Sequence, residues 1–337
     1  MDSAFQIQLE QWGPDSTIRP APTTAEAREY CRTLARSHYE NFPVVSWLLP
    51  RKLHQHFYNI YAYCRWADDL ADEVGDAARS LELLEWWRTQ LDDCFDGRGI
   101  HPVFVALRET VQEFAIPREP FTDLLSAFEQ DQRVTEYETF DELRDYCRRS
   151  ADPVGRLVLY LCRAHNERNV AWSDSICTGL QLANFWQDVA RDSDRGRIYL
   201  PREDRMRFGY RDDLLHSRAT TPAFLELMRF QVERARRSLR AGLPLAAVLP
   251  FRLGVDIDLF ARGGLAILDE IERIEYRVWD TRPTVSKWRF ARLFAGSVLS
   301  AVTRPIRPAH TSAAEPLPGG PEAVSGAPNR STGAAGP

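Results

Sequence analysis

The chain has 337 residues, of which 44% are hydrophobic, 27% charged and 11% aromatic, a composition typical of one large or two modest globular domains. Its formal net charge of −5 excludes the overall basic field of a nucleic-acid-binding protein, so we expect no nucleic-acid partner. The six cysteines include no C-x-x-C pair, which argues against a zinc ribbon or dithiol redox site and favours reduced thiols in a cytoplasmic protein. No uninterrupted apolar run reaches the roughly 18 residues needed to cross a bilayer.

In chain order, we predict a loosely ordered N-terminus over residues 1–22, followed by one all-α domain over residues 23–303. In that domain apolar side chains recur at helical intervals nearly throughout, and strand-like alternation is missing. No glycine-rich nucleotide-binding string follows a strand pattern, and prolines lie at spacings that fit helix junctions. Residues 304–337 contain seven prolines, five glycines and no aromatic residue, so we predict a disordered tail.

The first acidic segment lies in a predicted helix over Leu53–Asp72. At about 3.6 residues per turn, Tyr61, Arg65, Asp68 and Asp72 fall on one stripe of that helix. Asp68 and Asp72 thus place two carboxylates one turn apart, an arrangement that destabilises a helix unless a cation compensates.

The second acidic segment begins at Gln181 in another predicted helix, where Asn184, Asp188 and Asp192 are spaced by four and line one face. Large apolar residues surround both segments, and uncompensated carboxylates are costly in such surroundings. Either segment alone fits a solvated helix face. The two together favour a binding site.

Hard oxygen ligands of this kind suit Mg²⁺, which typically takes one or two carboxylates together with substrate phosphate oxygens. Two facing acidic helices could hold several such ions around a diphosphate and stabilise the charge that develops as it departs. The carbocation left behind requires a dry cavity with aromatic faces, and aromatic residues are plentiful here. The sequence therefore predicts metal-dependent release of diphosphate.

From about Tyr30 to about Trp288 the chain resembles the squalene and phytoene synthase family, on the strength of both acidic motifs and the string Arg197-Ile-Tyr199. The resemblance implies an isoprenoid synthase-type helical bundle with a central apolar cavity and two or three Mg²⁺ ions. The implied metal ligands are Asp68, Asp72, Asn184, Asp188 and Asp192. The resemblance also implies that the four aspartates among them are catalytic. The residues implied to contact diphosphate or shape its site are Arg65, Gln181, Arg197 and Tyr199. Those implied to line the pocket are His38, Phe42, Tyr61 and the catalytic Tyr146.

Three strings depart from the ordinary family pattern: Glu40-Asn-Phe-Pro43, the Gln187 that precedes Asp188, and Arg262-Gly-Gly264. They resemble one branch, the bacterial hydroxysqualene synthases of hopanoid biosynthesis. That resemblance implies presqualene diphosphate as the substrate, a sister enzyme that makes it, and a flavin-dependent oxidoreductase that converts the product to squalene. It implies no NADPH. We also expect the neutral Gln187 to weaken a second diphosphate site, and Gly264 to leave space beside the cation for water.

Two other functions fit the sequence. One is a complete squalene or phytoene synthase that condenses two prenyl diphosphates, against which the departures at Gln187 and Gly264 argue. The other is a non-catalytic scaffold relative, against which the intact ligand positions argue.

The basic amphipathic segment 285–299 could either touch an inner membrane surface or pack as a last helix. The histidines other than His38 show no ligand spacing, and we expect them at the solvated surface.

Overall fold

The computed structural model of the chain describes residues 3–16, 21–37, 49–286, 288–289 and 292–297. It is 74% helical, and the described ranges contain no strand. The prediction of an all-α fold is therefore confirmed. The predictions for His38, for Phe42 and for the tail 304–337 concern residues outside the described ranges.

Up to Arg273 the described residues form fifteen helices, which include both acidic segments. They are α1 (Ser3–Trp12), α2 (Thr24–Ser37), α3 (Arg51–Asp72), α4 (Ala77–Phe95), α5 (Pro102–Phe114), α6 (Glu119–Asp131), α7 (Phe140–Ser150), α8 (Asp152–Leu161), α9 (Glu167–Gln187), α10 (Val189–Asp194), α11 (Arg202–Arg207), α12 (Asp212–His216), α13 (Pro222–Gly242), α14 (Leu245–Val248) and α15 (Phe251–Arg273).

Local sequence signals fix many of the helix starts. The prediction that prolines mark helix junctions is confirmed for Pro102, Pro153 and Pro222, which lie in the first turns of α5, α8 and α13. A backbone N–H in the first turn has no partner within the helix, so its absence in proline costs nothing there. Thr139 and Glu142 form a reciprocal capping box at the start of α7. These caps satisfy backbone donors that the helices cannot satisfy themselves.

The core has two main parts and a smaller third one. The first part joins α2 through α6 around the stacked rings of Trp66 and Trp87, whose centroids are 5.2 Å apart. In the second part α9 packs along α13, and α15 packs against both. Because α3 and α9 are long helices anchored in these cores, the acidic segments at their C-terminal ends rest on rigid supports.

Two features of the fold differ from the expectations. Part of the segment 1–22 forms α1, because Phe5 is buried with its ring centroid 5.3 Å from that of Trp66. The expectation of a solvated surface is wrong for His101, which is 2% exposed and accepts a hydrogen bond from the Val103 N–H at the start of α5. Burial among aromatic rings lowers the pKa of His101 to about 3.

None of the described helices is both long and apolar enough to span a bilayer. The segment 285–299 is described only in part, so its contact with a membrane surface stays a prediction.

Candidate active site

The first acidic segment lies on one unbroken helix, as predicted, because α3 runs to Asp72. Arg65 donates from Nε to Asp69 Oδ2 at 3.0 Å and from Nη1 to Asp68 Oδ2 at 3.3 Å. Asp69 is buried under this ion pair, whereas the side chain of Asp68 is 45% exposed. The Asp72 side chain is 40% exposed as well, so Asp68 and Asp72 remain accessible on α3 while Asp69 anchors Arg65.

The second acidic segment crosses a helix junction, and the prediction of one continuous helix is wrong here. The helix α9 ends at Gln187, Asp188 lies between the two helices, and α10 begins at Val189. The Asp188 N–H still donates to the Asn184 carbonyl at 2.9 Å, and the Asp192 N–H donates to the Asp188 carbonyl at 2.9 Å. Since this i→i−4 pattern continues, the three side chains remain one turn apart.

Arg197 connects the two acidic segments. Its Nη2 lies 3.0 Å from Asp72 Oδ1 on α3, across 125 positions of sequence. Its backbone N–H donates to the Asp192 carbonyl at 2.8 Å, at the end of the second acidic segment. The structure therefore brings both predicted acidic segments to one site, with a guanidinium between them.

Two carboxyl groups of the acidic segments, those of Asp192 and Asp68, have pKa values above the ordinary range. Burial, and then the neighbouring Asp188 carboxylate, raise the pKa of Asp192 to about 7. Burial also raises the pKa of Asp68, an effect that Arg65 opposes and Asp72 reinforces. Carboxyl groups with raised pKa values, close to one another and to arginines, are typical of a functional site.

Two residues that the sequence did not reveal complete the charge pattern. Arg282, beyond α15, donates to both carboxylate oxygens of Asp188, from Nε at 2.6 Å and from Nη2 at 3.1 Å. Asp131, the last residue of α6, accepts a hydrogen bond from the Tyr146 hydroxyl at 3.0 Å. Burial raises the pKa of Asp131 to about 6, while the Arg197 charge opposes that rise. Neither residue belongs to a periodic motif, so only the folded chain shows its place.

Aromatic rings pack beside the acidic groups. Tyr199 stacks on Phe185 with centroids 3.8 Å apart and an interplanar angle of 10°, and the centroid of the Tyr137 ring lies 6.0 Å from that of Tyr199. The ring of the predicted pocket residue Tyr146 lies 6.2 Å from that of Tyr199. A small open crevice adjoins Phe185 and Tyr199 and is also lined by Asp192. The central cavity implied by the resemblance stays a prediction.

The remaining predicted residues have different surroundings. Tyr61 is half-buried on α3, and burial raises its pKa against the effect of Arg65. Gln181 is half-buried and Asn184 exposed on α9, near the second acidic segment. Gln187 is buried, and its Nε2 donates to the Pro283 carbonyl at 2.7 Å, so this amide holds the residues next to Arg282.

The expectation of open space beside Gly264 is wrong. Its Cα faces the packed junction of α15 with α9 and α13, and a Cβ there would lie 2.8 Å from Leu180 Cδ2 and 3.1 Å from Leu239 Cδ1. Gly264 therefore permits close helix packing. The neighbouring Gly263 has the open surroundings instead, because nothing lies within 4 Å of the position of its Cβ.

The donors at this site are carboxylate and amide oxygens, the ligand type that hard cations such as Mg²⁺ take in proteins. Among the described residues, no three His, Cys, Asp or Glu side chains form a cluster that could hold a metal ion. Mg²⁺ commonly takes only one or two carboxylates from the protein and completes its shell with water and phosphate oxygens. The pairs Asp68 with Asp72 and Asp188 with Asp192 offer that number on each side of the site.

The squalene/phytoene synthase family model matches residues 35–289, and the chain belongs to this family, whose members are enzymes that process prenyl diphosphates. The phytoene synthase of Arthrospira platensis is 34% identical over 290 residues, which cover 81% of this chain and 92% of that protein. The hydroxysqualene synthase of Rhodopseudomonas palustris is 36% identical over 226 residues, covering 65% of this chain and 75% of that protein.

Solved structures agree with the family assignment. The squalene synthase HpnC from Alicyclobacillus acidocaldarius is 42% identical, with a TM-score of 0.72 over 75% of this chain and 95% of that one. A dehydrosqualene synthase crystallised with a ligand is 25% identical, with a TM-score of 0.74 over 82% of this chain and 97% of that one. The helical bundle is thus the isoprenoid synthase fold that the sequence predicts.

Proposed function

We propose that the protein is a hydroxysqualene synthase that converts presqualene diphosphate and water into hydroxysqualene and diphosphate. The similarity to HpnC and to a hydroxysqualene synthase supports this branch of the family. The observation that carries the proposal is that Arg197 contacts both acidic segments, since its Nη2 lies 3.0 Å from Asp72 Oδ1 and its N–H donates to the Asp192 carbonyl at 2.8 Å. This placement supports one diphosphate site formed by both segments.

The proposed reaction begins when the C–O bond to the diphosphate breaks and its electron pair stays on the diphosphate oxygen. Mg²⁺, when bound, supplies positive charge that offsets the charge developing on that leaving group. The residues that would hold it are Asp68, Asp72, Asn184, Asp188 and Asp192. Arg65 and Arg197 lie where their guanidinium groups can donate charge-assisted hydrogen bonds to diphosphate oxygens.

The cation that remains requires stabilisation without early capture by bulk water. The rings of Phe185, Tyr199, Tyr137 and Tyr146 pack beside the acidic segments, and their π electrons would stabilise a cation formed there. After rearrangement, a water oxygen donates its electron pair to the cationic carbon and loses one proton. Carbon is neither oxidised nor reduced by an external agent in these steps, so the proposed reaction needs no NADPH.

The proposal places the enzyme between two partner activities. A presqualene diphosphate synthase would supply the substrate, and a flavin-dependent oxidoreductase would remove the hydroxyl group to give squalene. A 30-carbon apolar product would also favour release near a membrane surface, which keeps peripheral membrane contact in the proposal.

A second candidate is a phytoene or squalene synthase that condenses two prenyl diphosphates. The observation that favours it is the match to the Arthrospira platensis phytoene synthase, which covers more of this chain than the match to the hydroxysqualene synthase does. Such an enzyme must bind two diphosphates at once. The buried Gln187, which bonds the Pro283 carbonyl, adds no charge for a second one.

Product analysis separates the candidates. Purified protein is incubated with Mg²⁺ and either presqualene, farnesyl or geranylgeranyl diphosphate, and the extracted products are identified by mass spectrometry. We expect hydroxysqualene from presqualene diphosphate alone, and no product when EDTA replaces Mg²⁺. Phytoene from geranylgeranyl diphosphate, or squalene-type products from farnesyl diphosphate, would support the second candidate instead.

A further inference from the structure

Two extended segments run side by side next to the acidic site. One joins α6 to α7 and the other joins α10 to α11. The Ile198 N–H donates to the Thr135 carbonyl at 2.7 Å, and the Arg202 N–H donates to the Tyr137 carbonyl at 2.9 Å. This pairing fixes the backbone of the second segment over the residues that follow Arg197.

A buried guanidinium binds both segments at once. Arg205 on α11 has a fully buried side chain, and its Nε donates to the Leu200 carbonyl at 3.2 Å. Its Nη2 donates to the Glu136 carboxylate on the first segment, and its Nη1 donates to Asp212 Oδ1 at 2.6 Å. Each nitrogen of the planar fork thus has an oxygen partner, a geometry that a single ammonium group cannot reproduce.

We propose that Arg205 is a positioning residue that holds Arg197 and Tyr199 at the acidic site. Successive side chains of an extended segment alternate between faces, so Arg197 and Tyr199 share one face while Leu200 is buried on the other. With the Leu200 carbonyl bound to Arg205, the backbone directly after Tyr199 cannot shift, and its ring stays stacked on Phe185. The functional consequence for diphosphate rests on the proposed function.

The test replaces Arg205 with Lys, which keeps the charge and removes the fork. The fold should survive, because the side chains of Glu136 and Asp212 are 40% and 48% exposed and can be hydrated. The matched control is Arg234→Lys. Arg234 on α13 also pairs with a carboxylate of α11, Asp204, at 2.5 Å.

Amide hydrogen exchange reports positioning directly. In Arg205→Lys we expect the Ile198 and Arg202 amides to exchange about tenfold to a hundredfold faster, the range that loss of hydrogen bonds to a charged group gives. In Arg234→Lys these two amides should exchange as in the wild type. Glu136→Gln, which weakens the contact from the opposite side, should change the exchange in the same direction by a smaller factor.

Calorimetric binding of inorganic diphosphate in the presence of Mg²⁺ reports the functional consequence. We expect about tenfold weaker binding in Arg205→Lys and Glu136→Gln, with no change in Arg234→Lys. Unchanged amide exchange, or faster exchange with wild-type diphosphate affinity, would overturn the assignment of Arg205. A wild-type protein that binds no diphosphate would instead contradict the proposed function, and the exchange data alone would then decide whether Arg205 orders the segment.

Discussion

Arg282 forms a two-point ion pair with Asp188, with Nε 2.6 Å from Oδ1 and Nη2 3.1 Å from Oδ2. The pair joins the residues after α15 to the junction of α9 and α10, where the Asp188 side chain is only 13% exposed. The same carboxylate is a proposed metal ligand. Arg282 and a bound cation are therefore alternative partners for one mostly buried charge.

Replacing Arg282 with Met should destabilise the metal-free protein by ~1–3 kcal/mol, between the values for surface and buried pairs. Without Arg282, the cationic side chain that remains near Asp188 in the described part of the chain is Arg191, whose Nε lies 3.8 Å from Asp188 Oδ1. Mg²⁺ should restore much of this loss by supplying a cation. Thermal unfolding with and without Mg²⁺ measures both effects.

The control for this measurement is Arg156→Met. Arg156 forms a comparable two-point pair with Asp174, at 3.1 and 2.7 Å, on α8 and α9. Its loss should lower the melting temperature equally with and without Mg²⁺. If Mg²⁺ raises the melting temperature of both variants by the same amount, Asp188 is not a specific metal ligand.

Asp68 and Asp69 provide a matched pair of neighbours for a test of the first acidic segment. Asp68→Asn should reduce turnover of presqualene diphosphate at least ~100-fold and leave the melting temperature unchanged or higher, since it removes a like charge beside Asp72. Asp69→Asn should instead destabilise the protein, because Asp69 is the buried partner of Arg65. Turnover and melting temperature are measured for both. A fully active Asp68→Asn enzyme at limiting Mg²⁺ would remove Asp68 from the metal ligands.

Periodicity predicted the parts of the site that one helix carries. Asp68 and Asp72 lie where the stripe on α3 places them, because the helix is unbroken. The junction at Asp188 was not predictable from spacing, since the i→i−4 hydrogen bonds continue through it. Arg282 and Asp131 are isolated in sequence and reach the site only through long-range packing. The fold shows the same division. The helices were predictable from the local spacing of apolar residues, whereas the burial of His101 depends on contacts with residues distant in sequence.

The pH dependence of stability should include a contribution from Asp152 at the start of α8. Burial, and then the charge of Asp174, raise the pKa of Asp152 to about 7, although Oδ1 accepts a hydrogen bond from Thr178 at 2.9 Å. Because the folded pKa exceeds the unfolded value of 3.8, this contribution is fully present below pH 3.8 and is lost as the pH rises through about 7. It amounts to at most about 4 kcal/mol, at ~1.4 kcal/mol per pKa unit.

Asp152→Asn should therefore remove part of the stability loss between pH 5 and pH 8, because the amide stays neutral. Urea unfolding at these two pH values measures the effect. Asp192 has a pKa raised to about 7 as well, so the comparison of variant with wild type, rather than the wild-type profile alone, isolates Asp152. Identical pH dependence in both proteins would show that Asp152 is ionised throughout.

The adjacent glycines of α15 should respond to alanine in opposite directions. Gly264→Ala should destabilise the protein by ~1 kcal/mol, because the new Cβ would lie 2.8 Å from Leu180 Cδ2 and 3.1 Å from Leu239 Cδ1, and these side-chain ends must shift to admit it. Gly263→Ala meets nothing within 4 Å and should stabilise the protein by up to ~1 kcal/mol through helix propensity. Both free energies of unfolding are measured by urea denaturation.

The larger Gly264→Tyr change, which the sequence alone would suggest as a way to exclude water from the cation, should disrupt this packing before it alters any product. A Gly264→Ala protein as stable as the wild type would mean that α15 packs less closely here than the distances show, and the space beside Gly264 would again be a candidate for water.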